Sequence, residues 1–222
     1  MDDLDRRIRV AVVDDDTVIR EGLPHLLPDL HVTAAVSSVE ELLAAPPEAD
    51  VILLDLVLTG TGRTGVRQGA AAVEAVARAG FRTLIYTNER RREVLVGCVA
   101  AGAHGVVHKA EPLATLASAV AEVAAGRVVI TQALVGLAEL AERRGGLASL
   151  TPRQREILSA RARGETFRSI AERLFISKKT AEEHMAVVTA KFADFLRDHS
   201  PADLEWELGL GPGDLLDRRP MS

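Results

Sequence analysis

The fold is decided near the start of the chain, where residues 8–16 read IRVAVVDDD, an apolar run that ends in three aspartates. Apolar runs closed by a polar residue return four more times before residue 126. The runs occupy residues 8–13, 31–36, 51–54, 83–86 and 105–108, and helix-like stretches occupy residues 18–27, 39–44, 66–79, 93–101 and 113–125. Strands that alternate with helices predict an α/β fold, a five-stranded doubly wound parallel sheet with helices on both faces.

After residue 126 the pattern changes to helices alone. One helix is predicted for residues 132–143, and Thr151-Pro152-Arg153-Gln154 opens another, with an N-cap Thr, a Pro at the first helical position and a Gln that closes a capping box. Further helices are expected after Thr166, Ser177 and Ser200. We therefore expect an α/β domain at residues 1–126, a linker with a helix at 127–147, a small all-α domain at 148–199 and an acidic tail with a short helix at 200–222.

The net charge of −5 is distributed unevenly along the 222 residues. Residues 1–125 contain 12 Lys/Arg and 18 Asp/Glu, residues 151–191 contain 9 and 5, and residues 192–222 contain 3 and 7. The basic segment favours contact with a polyanion. The single cysteine, Cys98, excludes an internal disulfide, and no apolar run is long enough to span a membrane. We expect a cytoplasmic protein with no membrane partner.

Polar side chains follow four of the five predicted strands. They are Asp14 and Asp15 after the first, Asp55 after the third, Thr87 after the fourth and Lys109 after the fifth. Because the carboxyl ends of central parallel strands meet in one crevice, these groups should lie together. Clustered carboxylates suit Mg²⁺. The group predicts phosphoryl transfer, with Asp55 as the nucleophile and with Thr87 and Lys109 on phosphoryl oxygens. Asp16 is interpreted as a helix N-cap beside the crevice.

These segments resemble the receiver domain of two-component response regulators, which has a flavodoxin-like fold. The matching residues are VVDDD at 12–16, LLD at 53–55, YT at 86–87 and HK at 108–109. The resemblance implies that Asp55 accepts a phosphoryl group from a histidine kinase and that Thr87 and Lys109 are switch residues. It also implies that Asp14, Asp15, Asp55 and the backbone carbonyl of Val57 hold Mg²⁺. Such a chain is a phospho-acceptor with self-phosphotransfer and autodephosphorylation at most, and otherwise not an enzyme.

Two departures from the receiver pattern leave alternatives open. Val106 stands where receivers usually carry an aromatic switch residue, and Thr59, at the start of a glycine-rich stretch, stands where a proline is usual. The first alternative is therefore a DNA-binding regulator whose receiver works without phosphorylation. The second is a phosphatase, because residues 14–18, DDDTV, also match the DxDx[TV] motif of haloacid-dehalogenase-type phosphatases. In that interpretation Asp14 is the nucleophile and Asp55 has no clear role.

Residues 150–191 resemble the LuxR-type helix-turn-helix of NarL/FixJ-type regulators. The matching residues are LTPRQREIL at 150–158, Gly164, Ile170-Ala171, Leu174, Ile176-Ser177, Thr180 and His184. In this motif the third helix enters the major groove of DNA. A 4-3-4-3 spacing predicts a buried stripe made of Ala181, Met185, Val188, Phe192 and Phe195. The DNA-binding residues are expected to be Lys178, Lys179, Thr180, Glu182, Glu183 and Ala186, with Arg153, Arg155, Arg168 and Arg173 at phosphates.

Two residues of this module are unusual for the family. Phe167 replaces a polar residue, and Glu182 stands where a basic residue is usual. A carboxylate near phosphates weakens binding, although it can accept a hydrogen bond from cytosine N4. Because weak affinity of one module is recovered when two modules bind together, we expect a homodimer on a two-fold related DNA site. Phosphorylation is expected to control dimerisation and transcription. RNA polymerase is a further candidate partner. Trp206 is expected to anchor the acidic tail to the basic module.

Overall fold

The computed structural model describes residues 7–58, 67–130, 132–147, 149–211 and 213–215. Its contacts divide the chain into two compact units. The first comprises Met1–Arg90 with Ala101–Arg127, and the second comprises Arg91–Ala100 with Val128–Ser222. In the described part of the chain, no helix combines the length and the apolar character that crossing a membrane requires.

The first unit is built on a five-stranded parallel sheet in the order β2-β1-β3-β4-β5, which confirms the predicted α/β fold. The strands are β1 (Ile8–Val13), β2 (Leu30–Val36), β3 (Val51–Leu54), β4 (Thr83–Thr87) and β5 (Gly105–His108). The helices of this unit are α1 (Thr17–Leu26), α2 (Val39–Ala44), α3 (Gly69–Arg78) and α5 (Leu113–Ala124). Strand β3 is buried along its whole length, as expected for a central strand covered on both faces.

The register of the sheet sets the level at which each strand ends. Val13 of β1 pairs with Leu54 of β3, so the residues that follow, Asp14 and Asp55, leave the sheet side by side. Strand β4 runs one residue further than predicted, because Thr87 pairs with His108 of β5. The chain order reverses between β1 and β3, which is the place where open α/β sheets bind ligands.

The second unit is helical. It contains α4 (Arg92–Ala100), α6 (Gln132–Arg143), α7 (Pro152–Ala162), α8 (Phe167–Leu174), α9 (Lys178–Asp198) and α10 (Pro201–Leu208). The predicted capping box of α7 is present, since Thr151 and Gln154 exchange side chain-to-backbone hydrogen bonds. Ser177 caps α9 by accepting from the backbone N–H of Thr180. Helix α4 packs against α6 and α9 within this unit, although it precedes β5 in the chain.

The tail helix α10 packs against α6, and its residues Leu204 and Leu208 are both buried. Trp206 is 74% exposed, so the expectation that it anchors the tail is wrong. The reason is helical phase, because Leu204 and Leu208 are four residues apart and share a face, whereas Trp206 lies halfway between them on the other side. Docking is completed by Arg144, which donates to the carbonyl of Trp206 at 2.6 Å.

Candidate functional site

Asp55 lies at the carboxyl end of β3 and is 7% exposed. Its two carboxylate oxygens have different partners. Oδ1 accepts the hydroxyl hydrogen of Thr87 at 2.8 Å and the backbone N–H of Leu56 at 2.7 Å. Oδ2 accepts from Nζ of Lys109 at 2.7 Å. Thr87 is the last residue of β4, and Lys109 directly follows the neighbouring strand β5. The hydroxyl of Thr87 and the ammonium of Lys109 thus each bind a different oxygen of the Asp55 carboxylate.

Lys109 joins two carboxylates. Its Nζ lies 2.7 Å from Oδ2 of Asp14 and 2.7 Å from Oδ2 of Asp55. Burial works to lower the pKa of Lys109, but the hydrogen bonds to Asp14 and Asp55 outweigh burial and raise it. The ring of Tyr86 lies beside the ammonium, with its centroid 6.0 Å from Nζ. Lys109 therefore stays a cation at the centre of the crevice.

Asp14 is the most deeply buried acid of the crevice, with 2% exposure. Burial raises its pKa, against the hydrogen bonds from Lys109 and from the backbone N–H of Asp16, which lower it. Carboxylate oxygens of Asp14, Asp15 and Asp55 lie within 4.8 Å of one another. Clustered carboxylate oxygens of this kind are donors that fit Mg²⁺. The part proposed for the carbonyl of Val57 stays a prediction.

The surroundings of the crevice contain residues to which the sequence analysis gave no role. Arg20 donates to the backbone carbonyl of Asp14 at 2.6 Å. His108 holds the carbonyl of Glu89 at 3.1 Å. The position of His108 directly before Lys109 was a signal that could have drawn attention to it. Asp16 caps α1 as expected, by accepting from the N–H of Val18.

The two departures from the receiver pattern have different outcomes. Val106 is 1% exposed and belongs to the core of the first unit, where its branched side chain occupies the position usual for an aromatic ring. Thr59 and the glycine-rich stretch 59–65 lie outside the described residues.

The helix-turn-helix comprises α8 and α9. The predicted stripe of α9 is buried, which confirms the helical phase. Lys178 and Lys179 are exposed, but each is paired one turn along the helix, with Nζ 3.1 Å from Glu182 and 4.0 Å from Glu183. These two pairs leave the exposed first turns of α9 with no excess of positive charge.

Three of the four arginines expected at phosphates are engaged inside the second unit. The ion pairs are Arg153 with Glu156 at 3.0 Å, Arg155 with Glu142 at 2.7 Å, and Arg173 with Glu156 and Glu165 at 3.2 Å each. Arg168 is exposed in the first turn of α8. The unusual Phe167 has a structural partner, because the guanidinium of Arg161 lies 4.6 Å from its ring centroid.

A parallel sheet that ends in an acid-and-lysine crevice, in one chain with a helix-turn-helix, is the architecture of a DNA-binding response regulator. The family described as bacterial regulatory proteins of the luxR family matches residues 148–193. The DNA-binding transcriptional activator DevR/DosR of Mycobacterium tuberculosis is 34% identical over 195 residues, which cover 83% of this chain and 88% of that protein. The chain therefore belongs to the family of LuxR-type transcriptional response regulators that includes DevR/DosR.

Other relatives agree with this assignment. The probable transcriptional regulatory protein SgaR of Hyphomicrobium methylovorum is 35% identical, over 81% of this chain and 83% of its own. Among solved structures, RcsB of Salmonella enterica serovar Typhimurium, bound to a promoter in the presence of the phosphomimetic BeF3⁻, matches with a TM-score of 0.53 and 19% identity. That match covers 87% of this chain and 97% of RcsB and shows the shared fold.

Proposed function

We propose that Asp55 is the phospho-acceptor through which a histidine kinase controls this transcription regulator. The observation that carries the proposal is the convergence of Thr87 and Lys109 on the two oxygens of Asp55, at 2.8 and 2.7 Å. A carboxylate held in this way attacks the phosphorus of the donor, the bond from phosphorus to the donor's leaving group breaks, and an acyl phosphate forms on Asp55. The hydroxyl and the ammonium then hydrogen-bond the phosphoryl oxygens and stabilise their charge.

Asp14, Asp15 and Asp55 would hold Mg²⁺, with the carbonyl of Val57 as a further ligand. The ion would neutralise charge that the incoming phosphoryl group adds to an already acidic crevice. Burial raises the pKa of Asp14, and a cation beside this carboxylate would favour its ionised form.

The output of the switch would be binding to double-stranded DNA by a homodimer. The residues of α9 that would face the major groove are Lys178, Lys179, Thr180, Glu182, Glu183 and Ala186. Arg168 would contact the phosphates. The other three arginines expected at phosphates would first have to break their ion pairs with glutamates. They are Arg153, Arg155 and Arg173. RNA polymerase is a further proposed partner.

The proposed domains are a receiver at residues 1–126, a linker at 127–147, a helix-turn-helix at 148–199 and a tail at 200–222.

The test treats the full chain with acetyl phosphate, with and without Mg²⁺, and maps the modified residue by mass spectrometry. We expect Mg²⁺-dependent modification of Asp55 and none in Asp55→Asn. Modification of Asp14 instead would support the phosphatase interpretation. A wild-type chain that binds DNA and takes up no phosphoryl group would support the phosphorylation-independent regulator. One observation favours the phosphorylation-independent regulator as a second candidate. Val106, at the position where an aromatic switch residue is usual, is buried.

A further inference from the structure

Hydrogen bonds lead from Asp55 to an imidazole that the proposed chemistry does not use. Thr87 donates its hydroxyl hydrogen to Oδ1 of Asp55 at 2.8 Å and accepts the backbone N–H of Glu89 at 3.2 Å. The carbonyl of the same Glu89 lies 3.1 Å from Nε2 of His108. Glu89 is therefore held on both sides, by a residue that touches the acceptor carboxylate and by a histidine on the neighbouring strand.

The partner of the ring decides its tautomer. A carbonyl oxygen can only accept a hydrogen bond, so Nε2 of His108 must carry the hydrogen. Nδ1 is buried and has no hydrogen-bond partner in the described part of the chain. The bond to Glu89 is thus the interaction that orients this ring among the described residues. The backbone of His108 is held as well. His108 pairs with Thr87 in the sheet, and its backbone N–H donates to Oε1 of Glu111 at 3.2 Å.

We propose that His108 is a positioning residue for phosphoryl transfer, an inference that rests on the proposed role of Asp55. His108 anchors the backbone carbonyl of Glu89, and the backbone N–H of the same residue occupies a lone pair of the Thr87 hydroxyl. The single hydroxyl hydrogen of Thr87 is then directed at Asp55, where the phosphoryl oxygens arrive. A donor oriented before the reaction stabilises developing charge without having to reorganise. His108 acts through Glu89 and Thr87 and does not touch the phosphoryl group.

The test compares His108→Leu, which removes the ring's donor, with His108→Gln, which keeps an amide N–H for the Glu89 carbonyl. Initial rates of Asp55 modification are measured in the full chain against acetyl phosphate concentration at saturating Mg²⁺. We expect the maximal rate of His108→Leu to fall about fivefold, the factor that one ordinary hydrogen bond is worth. The half-saturating donor concentration should stay constant, and His108→Gln should recover most of the rate. His31→Leu and His31→Gln, at an exposed position of edge strand β2, are the matched controls.

A second measurement does not depend on phosphorylation. Long-range ¹H–¹⁵N spectra of the imidazole report which nitrogen carries the hydrogen, and we expect the Nε2–H form for His108. An Nδ1–H form, or full activity in His108→Leu, overturns the inference and leaves the role of Asp55 intact, because the wild-type chain is still modified. A wild-type chain that is not modified at all overturns the role of Asp55 and the inference with it.

Discussion

Nζ of Lys109 lies 2.7 Å from Oδ2 of Asp14, and the two side chains are only 12% and 2% exposed. Because the same ammonium also contacts Asp55, one cation is shared by two carboxylates that would otherwise repel each other across the crevice. A buried ion pair of this kind is sensitive to loss of one partner, since the charge left behind has neither water nor a counter-ion. Lys109 therefore stabilises the crevice before any ligand binds.

Replacing Lys109 with Met should lower the free energy of unfolding by about 3 kcal/mol in EDTA, the typical cost of leaving a buried charge without its partner. Adding Mg²⁺ should recover part of the loss, because the ion supplies positive charge to the same carboxylates. Urea unfolding followed by circular dichroism measures both effects. Lys179→Met, at an 85% exposed side chain, is the control and should change little. Equal stability of Lys109→Met and wild type would contradict the prediction.

The burial of Asp14 predicts a pH dependence of stability. Burial raises the pKa of Asp14, so the folded chain binds this proton more tightly than the unfolded chain. Stability from this group is then fully present below the unfolded pKa and is lost as the pH rises through the folded pKa. In EDTA, the advantage of Asp14→Asn over wild type should grow from about pH 4 upward and then level off.

Urea unfolding of both proteins at several pH values tests this sign. A difference that shrinks as the pH rises would show that the pKa of Asp14 is lowered in the folded chain. Mg²⁺ should reverse the trend, because a bound cation favours the ionised carboxylate.

The sequence predicted the sheet and the crevice because both follow from short-range patterns. Apolar runs define the strands, and parallel register then brings Asp14, Asp55, Thr87 and Lys109 to one edge. Contacts between side chains that are distant in the chain produce no short-range pattern in the sequence, so they were not predicted. The pairing of Arg155 with Glu142 depends on how α6 packs against α7, and nothing local distinguishes Arg155 from an exposed arginine.

The error at Trp206 has a related cause. Its size suggested burial, but the face that a helix buries is set by its neighbours. Helix α10 packs against α6 and buries Leu204 and Leu208, whereas Trp206 is left exposed. Glu205, a residue to which the sequence analysis gave no role, carries a buried carboxylate on this helix.

Glu205 is expected to hold residues 213–215 in place. Its carboxylate is 7% exposed and accepts the N–H groups of Gly213 at 2.9 Å and Leu215 at 2.8 Å. In Glu205→Gln an amide NH₂ would face one of these N–H groups, so one bond is lost. The free energy of unfolding should fall by about 1–3 kcal/mol. Limited proteolysis should also cut after residue 209 faster than in wild type. Glu172→Gln, at an exposed position on α8, should match wild type in both assays.

The paired lysines of α9 make a prediction about DNA. Lys178 is held 3.1 Å from Glu182, so Glu182→Gln should free this ammonium for a phosphate. The plot of log affinity for non-specific DNA against log salt should then steepen by about 0.9, the value of one added phosphate contact. Glu21→Gln, at an exposed position on α1, makes the same charge change far from α9 in sequence and should leave the slope unchanged. Glu182→Gln should also weaken any preference for cytosine, since the carboxylate no longer accepts from N4. An unchanged slope together with unchanged base preference would mean that Glu182 does not face DNA.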